Sequence, residues 1–503
     1  MRRWTLRTWY ERCARPVTGL GSWWPSALEA RKTPQPEAAF DLTIVGGGSA
    51  AFAAAVYAAE EGASVLMIND GPIGGTCVNV GCVPSKFLIR AMESYHRAGE
   101  GRFPGVSTSR GSLHWPSVVK AKDDLVAQLV KGKYVDVLGA YPSVKLRQGR
   151  ATLVPGGVRV NGETIPARKV LVATGASPWF PPIAGLPTVG PLTSDDALAL
   201  RQLPGSLLVL GGNAVGLELA QVFARAGVAV TVVELLPRIA PFEDEEVSAA
   251  LTAALEAEGI DIKTGYKALS VERQRGRVLL EVQDSQGSTT HFLADELLVA
   301  TGRRPNTEGL GLGEVGVETD GRGAIRVNEF AQTSNPAIFA AGDCTTAPQL
   351  VYVAAHMGTV AATNALAVTP HRHLELELVP RVIFTDPQVA AVGLTEAQAR
   401  ERGLEVTTAT LPLDAVPKAL TARDTRGLVK LVVAGKEKKL VGVHVVASEA
   451  SEIIQVATLA VKQGMPAATL ASMLFPYLTL AEGLKLAAQS LFRDVHKLSC
   501  CAG

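Results

Sequence analysis

One local pattern is written twice in this chain, and the repeat constrains the fold more than any other feature. Phe40 to Val45 reads as a short strand entering Gly46-Gly47-Gly48-Ser49-Ala50-Ala51. An Ala-rich helix follows to about Glu61, then a second strand from Ala63 to Ile68. Ser206 to Leu210 is again a strand, leading into Gly211-Gly212-Asn213-Ala214-Val215-Gly216. A helix from about Leu217 to Ala226 and a strand from Val228 to Glu234 complete the second unit. A glycine turn between strand and helix aims backbone N–H groups and the positive helix end at one spot, which suits a pyrophosphate. The strand before and the helix after are the context such a motif requires. Two units predict two nucleotides held by two domains.

The length agrees. At 503 residues the chain has room for about three domains. Apolar residues are 47% and charged residues 19%, enough for large cores. The 49 glycines fall largely in short turns between apolar runs, as in an α/β protein. A net charge of +1 argues against a strong field for nucleic acid or an anionic membrane. The longest apolar run, Ala50 to Ala59, is too short to span a bilayer. Arg2 and Arg3 resemble the start of a twin-arginine signal, but Arg7, Glu11, Arg12 and Arg15 interrupt the apolar stretch that should follow. Residues 1–39 are expected to be a flexible extension, and the cytoplasm is the expected compartment. Six cysteines are too few for a disulfide-stapled secreted protein of this size.

Further strands are expected at Lys169–Ala173, ending in Ala173-Thr174-Gly175, and at Leu297–Ala300, ending in Ala300-Thr301-Gly302. Ile338 to Ala341 leads into Gly342-Asp343. From about Val382 the pattern becomes α+β. Strands are expected at Val389–Val392, Gly427–Val433 and Lys439–Val446, with helices at Ser448–Lys462 and Leu480–Phe492. In the first glycine turn Gly46, Gly48 and Ala51 occupy the fingerprint positions. The acidic residue expected after the second strand is replaced by Asn69, with Asp70 next, and either is a candidate for a ribose contact.

The segment with the most chemistry is Gly74-Gly75-Thr76-Cys77-Val78-Asn79-Val80-Gly81-Cys82-Val83-Pro84-Ser85-Lys86. Its two thiols lie five residues apart at the start of a helix, where the positive helix end favours the thiolate. Such a pair can exchange electrons with a flavin. Half of a zinc site is the competing reading, but no second CxxC or His pair lies nearby.

This segment resembles the redox-disulfide signature of the class I flavoprotein disulfide reductases, and the likeness extends over about Phe40 to Gly503. The resemblance implies two Rossmann-like domains, for FAD and NAD(P)H, and a C-terminal α+β dimerisation domain. The FAD part would span 40–185 and 312–381, the NAD(P)H part 186–311, and the dimerisation part 382–503. Cys77 would meet the substrate and Cys82 would face the flavin. Lys86 would sit near the reactive flavin nitrogen, with Glu218 as its partner, since a buried Lys needs one. Asp343 would bind the ribityl chain, and Gly75, Thr76, Thr174 and Gly175 would also line the FAD site. Gly211, Asn213, Gly216, Glu234 and Gly302 would line the nicotinamide nucleotide site. Asn213 replaces a glycine there and leaves less room. A carboxylate at Glu234 hydrogen-bonds ribose hydroxyls and repels a 2′-phosphate, so NADH is favoured. Arg238 is the only cation close by in sequence.

Two C-terminal features separate the branches of this family. Relatives that reduce organic disulfides carry a His-Pro-x-x-x-Glu segment, whose His is a general acid/base. Here the His position is Tyr477, in Phe475-Pro476-Tyr477-Leu478-Thr479, while Glu482 remains. A phenol titrates too high to protonate a leaving thiolate near neutral pH. The chain then ends Ser499-Cys500-Cys501-Ala502-Gly503, and vicinal thiols suit a soft, two-coordinate ion. Together these segments resemble the mercuric reductase branch. That resemblance implies Hg(II) as substrate, bound by Cys77, Cys82, Cys500 and Cys501. It also implies a homodimer in which the tail of one subunit serves the site of the other, with Tyr477 near the metal. The N-terminal metal-binding module of many such enzymes, with its Gly-Met-Thr-Cys-x-x-Cys loop, is not expected here, and Cys13 alone would not replace it. A dihydrolipoamide dehydrogenase-like enzyme and a mercury-sequestering flavoprotein without turnover are the alternatives.

Overall fold

The computed structural model describes residues 40–494. Residues 1–39 and the Cys500-Cys501 tail lie outside the described residues.

The first glycine unit builds a five-stranded parallel sheet. Its order is Ile338–Ala340, Val170–Val172, Leu42–Val45, Val65–Asn69, Val144–Gln148. Ile44 stands level with Met67 on one side and Leu171 on the other. All four residues of Leu42–Val45 are buried. Both faces of the strand are covered, so the sequence runs apolar throughout instead of alternating. Helix α1 (Ser49–Glu60) leaves the glycine turn and packs its alanines into the core formed with this sheet.

The second unit builds a four-stranded parallel sheet, ordered Asp261–Lys263, Ala229–Val233, Ser206–Leu210, Glu296–Val299. The two units match in fine detail. A Cβ on Gly46 would stand 2.1 Å from the Ala173 carbonyl oxygen, and one on Gly211 would stand 2.5 Å from that of Ala300. Each turn therefore rests on the backbone of an Ala-Thr-Gly strand end, and only glycine fits there.

An antiparallel sheet of Lys267–Gln274, Arg277–Gln283 and Thr289–Ala294 is an insertion that the sequence reading did not single out. The C-terminal sheet is antiparallel, ordered Arg381–Ile383, Gln388–Gly393, Lys439–Ala447, Leu428–Ala434, Val406–Pro412. Its three central strands match the expected ones, and its two edge strands were not anticipated. Buried Lys430 ties this sheet to the second unit. Its Nζ lies 2.9 Å from Asp244, 3.0 Å from Glu246 and 2.8 Å from Glu396. Among the described residues no helix is long and apolar enough to cross a membrane.

Candidate active site

The thiols do not share one helix. Cys77 sits in a short helix, α2 (Gly75–Val80), and Cys82 opens a second, α3 (Cys82–Arg97). Gly81 makes the break. A Cβ there would lie 2.9 Å from the Thr76 carbonyl oxygen and 3.2 Å from the Cys77 Cα, so the chain folds back tightly on the first thiol. Asn79 braces the turn from within, its Nδ2 donating to the carbonyls of Ile73 at 2.9 Å and Gly75 at 2.8 Å.

The fold-back brings the two free thiols into hydrogen-bond contact and makes them unequal. The hydrogen bond from Cys77 pulls the Cys82 thiol down to about 6, with the Lys86 charge helping and local desolvation and Glu218 opposing. The same hydrogen bond and burial push the Cys77 thiol up. The first turn of α3 adds its positive end at Cys82. Near neutral pH the reduced pair therefore carries its thiolate on Cys82.

One turn further along α3, Lys86 Nζ pairs with Glu218 Oε2 at 2.6 Å. Glu218 comes from α4 (Ala214–Arg225), the helix of the second glycine unit. The structure thus brings together the pair expected from the sequence. Phe384 was not expected beside it. Its backbone N–H donates to Glu218 Oε1 at 2.8 Å, and its ring lies 4.6 Å beneath the Lys86 ammonium.

The cradle for a flavin dinucleotide is built from backbone. A Cβ on Gly75 would come within 2.6 Å of the Gly48 Cα, so the α1 turn and the α2 start touch with no side chain between them. Asn69, not Asp70, lies against the turn. A Cβ on Gly47 would stand 2.6 Å from the Asn69 Cγ, whereas Asp70 is exposed. Asp343 follows the Ile338–Ala340 strand. Burial pushes its carboxyl above the usual range, opposed by the Arg303 charge. A hydroxyl-rich chain laid there would supply the donors that this carboxyl calls for. Thr174 and Gly175 line the approach, with Thr174 Oγ1 donating to the Asn306 carbonyl at 2.7 Å. Cys344 is buried, as a small core residue should be. These residues fit FAD.

At the second turn Asn213 Oδ1 accepts the Ala214 N–H at 2.9 Å and caps α4. That cap explains why the helix starts three residues before the expected Leu217. Glu234 is buried at the end of its strand. Its carboxylate accepts the N–H groups of Gly212 at 2.6 Å and Leu236 at 2.8 Å, which holds it at the rim of the turn. Arg238 instead donates to the Glu243 carbonyl at 2.7 Å.

In the C-terminal part Tyr477 is half exposed. Glu482 opens the helix Glu482–Ser490, buried, with Oε2 lacking a hydrogen-bond partner among the described residues. Tyr134 is a further neighbour of the thiols that sequence reasoning missed. Burial and the Cys77 and Cys82 charges push its phenol up, and its ring packs against Phe52 at 4.8 Å and beside Gly74. No motif flags it, because it arrives from a separate helix.

Comparison with known proteins places this geometry. The model of the pyridine nucleotide-disulphide oxidoreductase family matches residues 40–358, and that of its dimerisation domain matches residues 379–488. The chain belongs to this family. Within the family, it is 45% identical over 465 residues to a mercuric reductase of Staphylococcus aureus, covering 92% of this chain and 84% of that one. It is 46% identical over 476 residues to a mercuric reductase of Streptomyces lividans, covering 93% of this chain and 100% of that one. Among solved structures, RclA, an HOCl-induced flavoprotein disulfide reductase from Escherichia coli, superposes with a TM-score of 0.80. The identity there is 28%, over 90% of this chain and all of that one. Membership in the oxidoreductase family agrees with the α/β fold, the thiol pair and the C-terminal antiparallel sheet.

Proposed function

We propose that the chain is a mercuric reductase, which passes two electrons from NAD(P)H to Hg(II) and releases Hg(0). One observation carries the choice of substrate. Tyr477 stands where disulfide reductases of this family hold their acid/base His, in a chain that is 45% identical to a mercuric reductase over 92% of its length.

FAD, when bound, supplies the two-electron relay between the nicotinamide and the thiol side of the site. Gly46, Gly48, Ala51, Gly75, Thr76, Thr174, Gly175, Asp343 and the Asn69 amide would hold it. Gly211, Asn213, Gly216, Glu234 and Gly302 would hold the nicotinamide nucleotide. On the substrate side, Cys82 meets the ion as a thiolate and Cys77 loses its proton on binding. Hg(II) enters by ligand exchange from the Cys500-Cys501 tail of a partner subunit, without change of oxidation state. Tyr477 stands near the ion during this exchange. Two electrons then convert the ion to the neutral atom, which thiolates hold poorly, so the product leaves. The Glu482 N–H donates to Thr479 Oγ1 at 3.2 Å, which ties the helix start to Tyr477's segment.

The test is anaerobic oxidation of NADH and NADPH by the purified FAD-loaded protein, with and without Hg(II), in excess thiol. Oxidation that requires Hg(II) and releases volatile mercury is the expected result. Oxidation driven equally by an organic disulfide without Hg(II) would sink the reading.

Two variants test its parts. Glu234→Gln removes the charge and keeps the side chain's size, with its one amide oxygen left to accept from either the Gly212 or the Leu236 N–H. The preference for NADH over NADPH should fall about tenfold, one unit charge's worth of repulsion at roughly 1.4 kcal/mol. An unchanged ratio of kcat/KM values would remove Glu234 as the discriminator. Cys500→Ala/Cys501→Ala should raise KM for Hg(II) held by bulky thiols by about tenfold or more, leaving flavin reduction by NADH intact. Unchanged turnover on the bulky complex would end the delivery role.

A further inference from the structure

Helix α4 turns one face toward the segment 384–386, and three side chains on that face grip it. They are Glu218, Gln221 and Arg225, spaced by three and four residues and so aligned on the helix. Glu218 takes the Phe384 N–H. Gln221 takes the next-but-one residue by its backbone on both sides. Its Oε1 accepts the Asp386 N–H at 2.8 Å, and its Nε2 donates to the Asp386 carbonyl at 2.8 Å. Arg225 holds the Asp386 carboxylate at 2.9 Å, and Arg426 holds the other oxygen at 3.0 Å. Gln221, Arg225 and Asp386 are all buried. A buried amide that satisfies both a donor and an acceptor of the same residue fixes that residue's position and orientation.

What this grip holds in place is Phe384. Its N–H anchors Glu218, and its ring supports the Lys86 ammonium. Both halves of the Lys86–Glu218 pair thus rest on a residue two positions from the Gln221 clamp. We propose that Gln221 is a positioning residue for this pair: by clamping Asp386 it seats Phe384, and through Phe384 it sets where the Lys86 charge stands relative to the flavin. The proposal rests on the reading of Lys86 as the flavin's neighbour. A cation held there favours the reduced, more negative flavin, and the benefit depends steeply on placement. No bond is made or broken in this role.

The test is the two-electron reduction potential of the FAD-loaded protein, measured against a reference dye without Hg(II). Gln221→Met keeps the size of the side chain and loses both hydrogen bonds to Asp386, together with the one its Nε2 donates to Glu258 at 3.1 Å. It should shift the flavin equilibrium about tenfold toward the oxidised form, or roughly 30 mV. Asp424→Asn is the control. Asp424 binds Arg426 at 2.8 Å in the same junction, with its side chain 6% exposed, and is bonded neither to Gln221 nor to the 384–386 backbone. This control should lower the melting temperature and leave the flavin equilibrium within about twofold of the parent. Gln221→Leu, which also lacks both polar groups, is read on the same scale should Gln221→Met not fold. A Gln221 variant within about twofold of the parent, or an Asp424→Asn shift as large as that of Gln221→Met, overturns the proposal. Lys86→Met separates the two levels. If it leaves the potential unmoved, the placement of Lys86 beside the flavin is wrong and the Gln221 role falls with it. If it moves the potential while the Gln221 variants do not, only the Gln221 role fails.

Discussion

Cys82→Ser should lower Hg(II)-dependent nicotinamide oxidation by about a thousandfold or more, while the protein still binds FAD. An effect of this size is expected when a group that carries the reacting electrons is removed and nothing nearby substitutes for it. A serine hydroxyl keeps the size but forms no thiolate and binds soft metals poorly. The neighbouring thiol cannot take over, because the burial that pushes Cys77 up persists without Cys82 and a lone sulfur cannot store the electron pair of a dithiol. Cys77→Ser should be nearly as damaging. A serine hydroxyl can still donate to the Cys82 thiolate, but the dithiol is gone and the ion is left with one sulfur ligand. Steady-state rates of both variants, beside the flavin absorbance of each, measure this. Loss of rate together with loss of FAD would point to a damaged fold and would not count in favour.

Lys430→Met should destabilise the protein by about 3–5 kcal/mol, the range for removing one member of a buried ionic cluster. The Lys430 and Asp244 side chains are each only 3% exposed, so solvent cannot replace the lost partner. Burial by itself would raise the Asp244 carboxyl, but Lys430 and the Glu396 N–H outweigh it and hold the group below the usual range. A carboxyl depressed in the folded state stabilises the fold above its unfolded pKa of about 3.9, and the contribution is lost as pH falls through the folded value. The difference between parent and Lys430→Met should therefore be full at neutral pH and shrink below about pH 4. Urea titrations at pH 7 and pH 3 give the two values. Equal stability of parent and variant at pH 7 would show that the cluster contributes no net stability.

Much of this architecture was legible in the sequence because it depends on local spacing. The two glycine turns, the Ala-Thr-Gly strand ends and the central strands of the C-terminal sheet all follow from periodicity and turn chemistry. Lys86 and Glu218 were paired correctly because a Lys in a dinucleotide core has few tolerable states. The rest depends on approaches that spacing does not encode. Phe384 reaches Glu218 across 166 positions through a backbone N–H, which leaves no mark on residue identity. Gly81 looked compatible with one continuous helix until the close approach to Thr76 and Cys77 was visible. Asn69 and Asp70 were indistinguishable in a linear reading. The strand decides between them by ending at Asn69, with its side chain under the turn, and releasing Asp70 to solvent.

The contact between Gly48 and Gly75 has a consequence for how such a chain can diversify. At Gly75, which also holds a positive φ of 66°, a Cβ would stand 2.6 Å from the Gly48 Cα, so any side chain there forces the two backbones apart. From the Gly75 side, the distance between the nucleotide cradle and the redox thiols is thus closed to gradual change. Tyr477 stands under the opposite condition, half exposed on a segment some four hundred residues further along the chain. Variation there leaves the contact between the two glycines untouched. Under the proposed function, a lineage built on this plan would exchange one electron acceptor for another by rewriting the Tyr477 segment, while the electron donor side stays fixed.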